Sequence, residues 1–149
     1  MTGKRTLRAV MVGLRHGHMG SIGTEHPGYI QTFKGLDDVE VVAYFEDTET
    51  ERLAPVATED LGAKTYTSLD DLIANENFDV AMVGLPANEV PAAGIKLAEA
   101  GCQVVLSGRR AEPLEAVAAQ IPGDVSIEPL DVSNNESVIA VTERILERY

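Results

Sequence analysis

The residues best placed to do chemistry cluster at the end of the first strand-like run. There Gly13-Leu14-Arg15-His16-Gly17-His18-Met19-Gly20 packs glycines, an arginine and two histidines into eight positions. A glycine-rich turn between a strand and a helix suits an anion, because backbone N–H groups point outward and glycine permits close approach. Arg15 adds a charge able to touch phosphate directly. His16, His18 and His26 all fall in this stretch, so a metal is conceivable. No cysteine accompanies them, and Glu25 is the only carboxylate close by in sequence. The histidines are therefore read as phosphate or substrate contacts, or as solvated loop residues, and not as metal ligands. A second chemical position is Glu46-Asp47, closing the next strand run. A third is Leu85-Pro86-Ala87-Asn88, following another.

Six β-rich runs must position these residues: Arg8–Gly13, Val39–Phe45, Lys64–Tyr66, Asp79–Leu85, Gln103–Ser107 and Val125–Leu130. Helical patterns lie between them. Pro27 and Gly28 delay the first, which is expected to become regular near Tyr29. Thr48 with Glu51 reads as a capping box, with Gly62 ending that helix. Ser68 precedes a short helix, and Asn88 is a candidate cap for one carrying Val90, Ile95, Leu97 and Ala98 and closed by Gly101. Pro113 sits in the first turn of the next, and Ser133 with Glu136 forms a further capping box. Strands alternating with helices predict an α/β fold with a parallel sheet. The near-continuous hydrophobic runs predict strands covered on both faces. The expected architecture is a doubly wound Rossmann fold, a six-stranded parallel sheet in order 3-2-1-4-5-6 with helices on both faces. It is read as one domain over residues 1–149, with halves at about 1–78 and 79–149.

The 149 residues, 44% of them hydrophobic, suffice for one folded core. A net charge of −12 argues against nucleic acid, which requires surplus Lys and Arg. No apolar run reaches the roughly 18 to 20 residues of a membrane span. The N-terminus shows no signal-peptide core, and the single cysteine, Cys102, excludes an internal disulfide, so the cytoplasm is expected. Association into a homo-oligomer is left open.

Four segments in order, Arg8-Ala9-Val10-Met11-Val12-Gly13-Leu14, Val41-Val42-Ala43-Tyr44-Phe45-Glu46-Asp47, Tyr66-Thr67-Ser68-Leu69-Asp70-Asp71-Leu72-Ile73 and Phe78-Asp79-Val80-Ala81-Met82-Val83-Gly84-Leu85-Pro86, resemble the nucleotide-binding domain of the glucose–fructose oxidoreductase / inositol dehydrogenase (Gfo/Idh/MocA) family. The resemblance implies that Gly13, Arg15, His16, Gly17, His18 and Gly20 surround a dinucleotide pyrophosphate. Arginine stands where the second glycine of G-x-G-x-x-G would fall, and Gly17 and Gly20 offer a shifted frame; a loop that has lost its ligand is the competing reading. The resemblance further implies that Glu46 accepts the adenosine ribose hydroxyls and disfavours a 2′-phosphate, giving NAD(H) over NADP(H). Glu46 and Asp47 are equally explained as acids at a helix start. Leu85, Pro86 and Asn88 would lie near the nicotinamide-side ribose, with capping an alternative role for Asn88. The family's Glu-Lys-Pro at the fifth strand is here Ser107-Gly108-Arg109, so its catalytic lysine is replaced by Gly108. No counterpart of its substrate domain is visible in the sequence.

From about Lys96, Leu97-Ala98-Glu99-Ala100-Gly101-Cys102-Gln103-Val104-Val105-Leu106-Ser107-Gly108-Arg109-Arg110, then Leu114-Glu115-Ala116-Val117-Ala118 and Pro129-Leu130-Asp131-Val132, resemble instead the N-terminal half of a short-chain dehydrogenase/reductase. That resemblance would assign Arg109 to a 2′-phosphate and Asp131 to the adenine. The turn it requires is missing from Gly84-Leu85-Pro86-Ala87-Asn88, and so is the family's Tyr-x-x-x-Lys. The arginines are equally surface cations. Two resemblances meeting near residues 96–102 point to a chimera of two Rossmann halves, engineered in preference to natural. Three functions follow: a non-catalytic NAD(H)-binding domain, an NAD-dependent oxidoreductase fragment completed by another domain or chain, or a folded scaffold without ligand.

Overall fold

The computed structural model describes residues 5–16, 19, 28–131 and 133–148. Parallel strands alternate with helices: β1 (Leu7–Val12), α1 (Tyr29–Lys34), β2 (Val39–Phe45), a 3-10 turn (Thr50–Arg52) running into α2 (Leu53–Glu59), β3 (Lys64–Tyr66), α3 (Leu69–Asn75), β4 (Val80–Val83), α4 (Val90–Glu99), β5 (Val104–Gly108), α5 (Ala111–Ala118), β6 (Val125–Pro129) and α6 (Asn135–Arg148). The chain divides into two compact units, Met1–Val90 and Pro91–Tyr149.

In the first unit a four-stranded parallel sheet runs β3-β2-β1-β4. The interior place of β1 agrees with its hydrophobicity: Ala9, Val10, Met11 and Val12 are wholly buried, as a strand flanked on both edges and covered on both faces requires. β1 pairs in register with β4 through Ala9↔Val80 to Val12↔Val83, while its ladder with β2 shifts between Ala9 and Val10. Met11, Leu14, Met19, Ile30, Val41, Tyr44, Leu53 and Val56 form the core. Tyr44 is fully buried and donates its hydroxyl to Asp60 Oδ2 (2.8 Å), which also meets Lys34 Nζ (3.1 Å). That contact ties β2 to the ends of α1 and α2, and burial together with Asp60 pushes the Tyr44 phenol up. At the sheet's edge, Tyr66 donates to Glu76, whose carboxylate also takes Lys64 Nζ (2.9 Å). The hydrogen bond to Glu76, then burial, pushes Tyr66 up to about 12.

In the second unit β5 and β6 form a parallel pair, Val104↔Val125 to Gly108↔Pro129, connected through α5. Leu97, Leu106, Ile121 and Val141 are buried. A Cβ on Gly94 would lie 2.7 Å from Ile121 Cδ1, so glycine lets α4 approach the end of α5 closely. Gly101 has φ +91 and closes α4: its N–H donates to Ala98 O (2.9 Å) and Cys102 N–H to Leu97 O (2.9 Å), a Schellman pattern. Arg144 to Glu128 (2.9 Å) and Arg148 to Asp124 (2.7 Å) fasten α6 to the segment carrying β6.

The six strands do not make the expected single sheet in order 3-2-1-4-5-6. They make a four-stranded sheet and a two-stranded one, and among the described residues no ladder joins β4 to β5. Hydrophobic runs report burial and strand length, whereas sheet continuity depends on hydrogen-bond pairing that periodicity does not encode. All four residues of β4 are only half-buried, unlike those of β1.

Three capping expectations also change. Thr48 does not cap; its hydroxyl goes to Asp47 Oδ1 (3.1 Å), while Glu46 accepts the N–H groups before the 3-10 turn. α2 ends at Glu59, with Asp60 as its cap position instead of Gly62. Asn134, not Ser133, caps α6, accepting from Glu136 N (3.0 Å) and Ser137 N (3.3 Å). Ser133 bonds back to Asp131 and draws that carboxyl below its ordinary range. Ser68 does cap α3, accepting from Asp71 N (3.2 Å).

Candidate functional site

The loop after β1 turns immediately at Gly13, whose φ of +90 favours glycine. Its N–H donates to Phe45 O (2.9 Å), and a Cβ there would lie 2.7 Å from Leu85 Cγ. Leu14 N–H donates to Glu46 Oε2 (2.9 Å), and His16 N–H to Gly84 O (3.2 Å). The loop is thus stitched on one side to the end of β2 and on the other to the end of β4. Met19, fully buried, lies over Gly84 so closely that a Cβ there would overlap its Sδ and sit 2.9 Å from its Cε.

Glu46 is the fully buried carboxylate of this site. Besides Leu14 it accepts from Thr48 N (3.1 Å) and Glu49 N (3.2 Å) at Oε1. Arg15 Nε stands 2.7 Å from the same oxygen. Its N–H is not aligned for a hydrogen bond and has no other acceptor. Burial alone would push Glu46 up; the three backbone donors and Arg15 outweigh it and hold the carboxyl below its ordinary range. Arg15 continues outward to Glu89 through both terminal nitrogens (Nη1 to Oε1 3.0 Å, Nη2 to Oε2) and to Asp47 Oδ1 (3.3 Å). Its hydrogen bond to Glu89, against the effect of burial, raises an already high pKa, so the guanidinium stays charged.

Gly13, Arg15, His16, Glu46 and Leu85 therefore converge at the C-terminal ends of β1, β2 and β4. Leu85 is buried, and Pro86 turns the chain into α4, its carbonyl accepting from Glu89 N (2.8 Å) and Val90 N (3.3 Å). Asn88 is exposed, with no side-chain hydrogen bond among the described residues, so the helix start is held by the Pro86 carbonyl and not by an asparagine cap. Gly17, His18, Gly20, Glu25 and His26 lie outside the described residues. Among those described, no three His, Cys, Asp or Glu side chains converge as a metal site. Glu89 escaped the sequence reading; the available signal was an unpaired arginine in a loop whose flanking turns carry acids. In the second unit Arg109 and Arg110 are exposed, and Gly108 presents no side chain at the end of β5. Cys102 is a free thiol whose pKa burial pushes up.

In a parallel sheet with crossover helices, ligands bind beyond the carboxyl ends of the strands. A glycine turn and a buried acid meeting there define a nucleotide-binding Rossmann-like domain. Residues 7–107 match the sequence profile described as the oxidoreductase family with NAD-binding Rossmann fold, Gfo/Idh/MocA, and the chain belongs to that family. No curated protein sequence matches it. Among solved structures, it resembles the oxidoreductase yvaA of Bacillus subtilis over 99% of this chain and 41% of that one (16% identity, TM-score 0.62). It resembles the WlbA dehydrogenase of Bordetella pertussis, solved with NADH and UDP-GlcNAcA, over 78% of this chain and 34% of that one (24%, TM-score 0.54). A third likeness is scyllo-inositol dehydrogenase of Lactobacillus casei, solved with NAD(H) and scyllo-inositol, over 83% and 36% (15%, TM-score 0.52). The chain spans roughly a third to two-fifths of the length of these structures. Among the described residues no helix is long and apolar enough to cross a membrane.

Proposed function

We propose that the chain binds NAD(H) at the C-terminal ends of β1, β2 and β4 and performs no hydride transfer of its own. The observation that carries this reading is the hydrogen bond from Leu14 N–H to Glu46 Oε2, which joins the phosphate-type turn to the acid closing β2. Gly13, Arg15, His16, Gly17, His18 and Gly20 would surround the pyrophosphate, Glu46 the adenosine ribose, and Leu85, Pro86 and Asn88 the nicotinamide-side ribose. Glu46, Asp47 and Glu89 place three carboxylates around one arginine, a field that repels a 2′-phosphate and so favours NAD(H) over NADP(H). Gly108 occupies the position of the family's lysine and has no proton to give.

A second reading is favoured by the share of the related structures that this chain spans: the nucleotide-binding portion of a larger NAD-dependent oxidoreductase. The resemblance of residues from about 96 onward to a short-chain dehydrogenase supports an origin by recombination, engineered in preference to natural, although the Gfo/Idh/MocA profile match continues through that junction to residue 107. The single free cysteine fits the reducing cytoplasm, and self-association is checked by light scattering. NADH fluorescence titration tests binding. Assay of NAD reduction with polyols and sugars tests catalysis, with no rate above background expected from this chain alone; turnover would establish the second reading over the first.

A further inference from the structure

As the structure stands, the Glu46 carboxylate is closed to a ribose. It is fully buried. With about two lone pairs per oxygen, Oε1 is filled by Thr48 and Glu49 and further contacted by Arg15, while Oε2 takes Leu14 and keeps one acceptor position. The backbone donors are fixed parts of the fold; the Arg15 side chain is a movable cover. Its grip on Glu46 is also its weakest point, because the buried Nε–H faces no aligned acceptor. Its far end is held much better, by two hydrogen bonds to Glu89. Glu89 is 35% exposed, so that end of the pair reaches solvent.

We propose that Arg15 is a displaceable stand-in for the adenosine ribose at Glu46, kept there by Glu89, and that this exchange sets the chain's affinity for the adenosine half of a dinucleotide. The proposal rests on the reading of Glu46 as the ribose acid. Arg15 turns about its Glu89 anchor and uncovers the carboxylate, and a ribose hydroxyl takes the acceptor position left on Glu46 Oε2. The exchange selects its ligand by charge: with Arg15 withdrawn, Glu46 and Asp47 are left to neutral hydroxyl donors, which they can accept, whereas a 2′-phosphate would meet them unshielded. Glu89 is thus a positioning residue for cofactor affinity.

The test is calorimetric titration with ADP-ribose of the unaltered chain, Arg15→Ala and Glu89→Gln, with urea unfolding of each to establish that it folds. Arg15→Ala is expected to bind about tenfold more tightly than the unaltered chain, equivalent to about 1.4 kcal/mol, the uncovering of Glu46 outweighing the lost contact to the pyrophosphate, and Glu89→Gln to shift the same way by less. A measurement on the unaltered chain guards against a variant that fails to fold. The Arg15 Nε–Hε resonance should be protected from exchange in the free protein and should move and lose protection as ADP-ribose is added. Equal or weaker binding by Arg15→Ala, or an Arg15 signal unmoved at saturation, overturns the exchange and leaves the dinucleotide site standing. Absence of binding by all three proteins overturns both.

Discussion

Arg15 Nε lies 2.7 Å from Glu46 Oε1, with side-chain exposures of 9% and 0%. A cation and a carboxylate so placed act on the fold as well as on a ligand. Removing one partner of a buried pair leaves the other uncompensated, which outweighs any intrinsic gain from the pair itself.

Glu46→Gln keeps the shape of the side chain but turns an amide toward backbone N–H donors and leaves Arg15 short of a counter-charge. The expected cost is about 2–4 kcal/mol in urea unfolding. A change within about 0.5 kcal/mol, the range of an ordinary surface substitution, would show that the Glu46 network does not brace the β1 and β2 ends.

Gly84→Ala places a methyl group against Met19, which is fully buried and has no solvent to retreat into. Overpacking of this kind costs about 1–3 kcal/mol. The pair should be non-additive: Gly84→Ala combined with Met19→Ala is expected to be less destabilised than the sum of the two single changes. Simple additivity would mean that the loop carrying Met19 moves freely away from β4.

Three carboxyls are lowered, and the pH dependence of stability follows chiefly from the two covered ones, Glu46 and Glu76, with the exposed Asp131 adding little. For Glu76, burial is outweighed by the hydrogen bonds from Tyr66 and Lys64. A folded pKa below the unfolded value means that the unfolded chain binds more protons across the interval between them. The stabilisation is therefore complete above the ordinary glutamate value of about 4.3 and is lost as pH falls through the folded values. Thermal midpoints should change little from these groups between about pH 6 and 8 and fall steadily below about 4.5. In Glu46→Gln the acid-side fall should be shallower, and an unchanged slope would remove Glu46 from the linkage.

Cofactor choice follows from the same carboxylates. NADH is expected to bind at least about tenfold more tightly than NADPH, a difference of about 1.4 kcal/mol, and Asp47→Asn should narrow the gap by removing one repelling charge. Preference for NADPH would assign Arg15 to a 2′-phosphate.

The elements that were legible from sequence are those whose local chemistry is complete within a few residues. β2 at Val39–Phe45 and β3 at Lys64–Tyr66 are bounded by turn residues, α1 starts at Tyr29 behind Pro27-Gly28, Ser68 caps α3, and Gly101 ends α4 in a left-handed conformation. Other features depend on residues far apart in the chain. Thr48 and Glu51 satisfy a capping pattern, yet Glu46, tied to Leu14 across the sheet, takes the N–H groups a cap would have served. Asn134 outcompetes its neighbour Ser133 because Asp131 claims the serine hydroxyl. The partnership of Arg15 with Glu89 joins two loops that only the β1–β4 pairing brings together. The division into two sheets lies at the same level, since β4 and β5 carry suitable hydrophobic runs but, among the described residues, no ladder between them.

The most direct test of the account is calorimetric titration of the unaltered chain with NADH. Saturable binding of one NADH per chain, with a dissociation constant below about 1 mM, or about −4 kcal/mol, is the expected result. No saturable heat at millimolar NADH, from a chain shown to be folded by its cooperative unfolding, would contradict the assignment of the Gly13 turn and Glu46 to a dinucleotide.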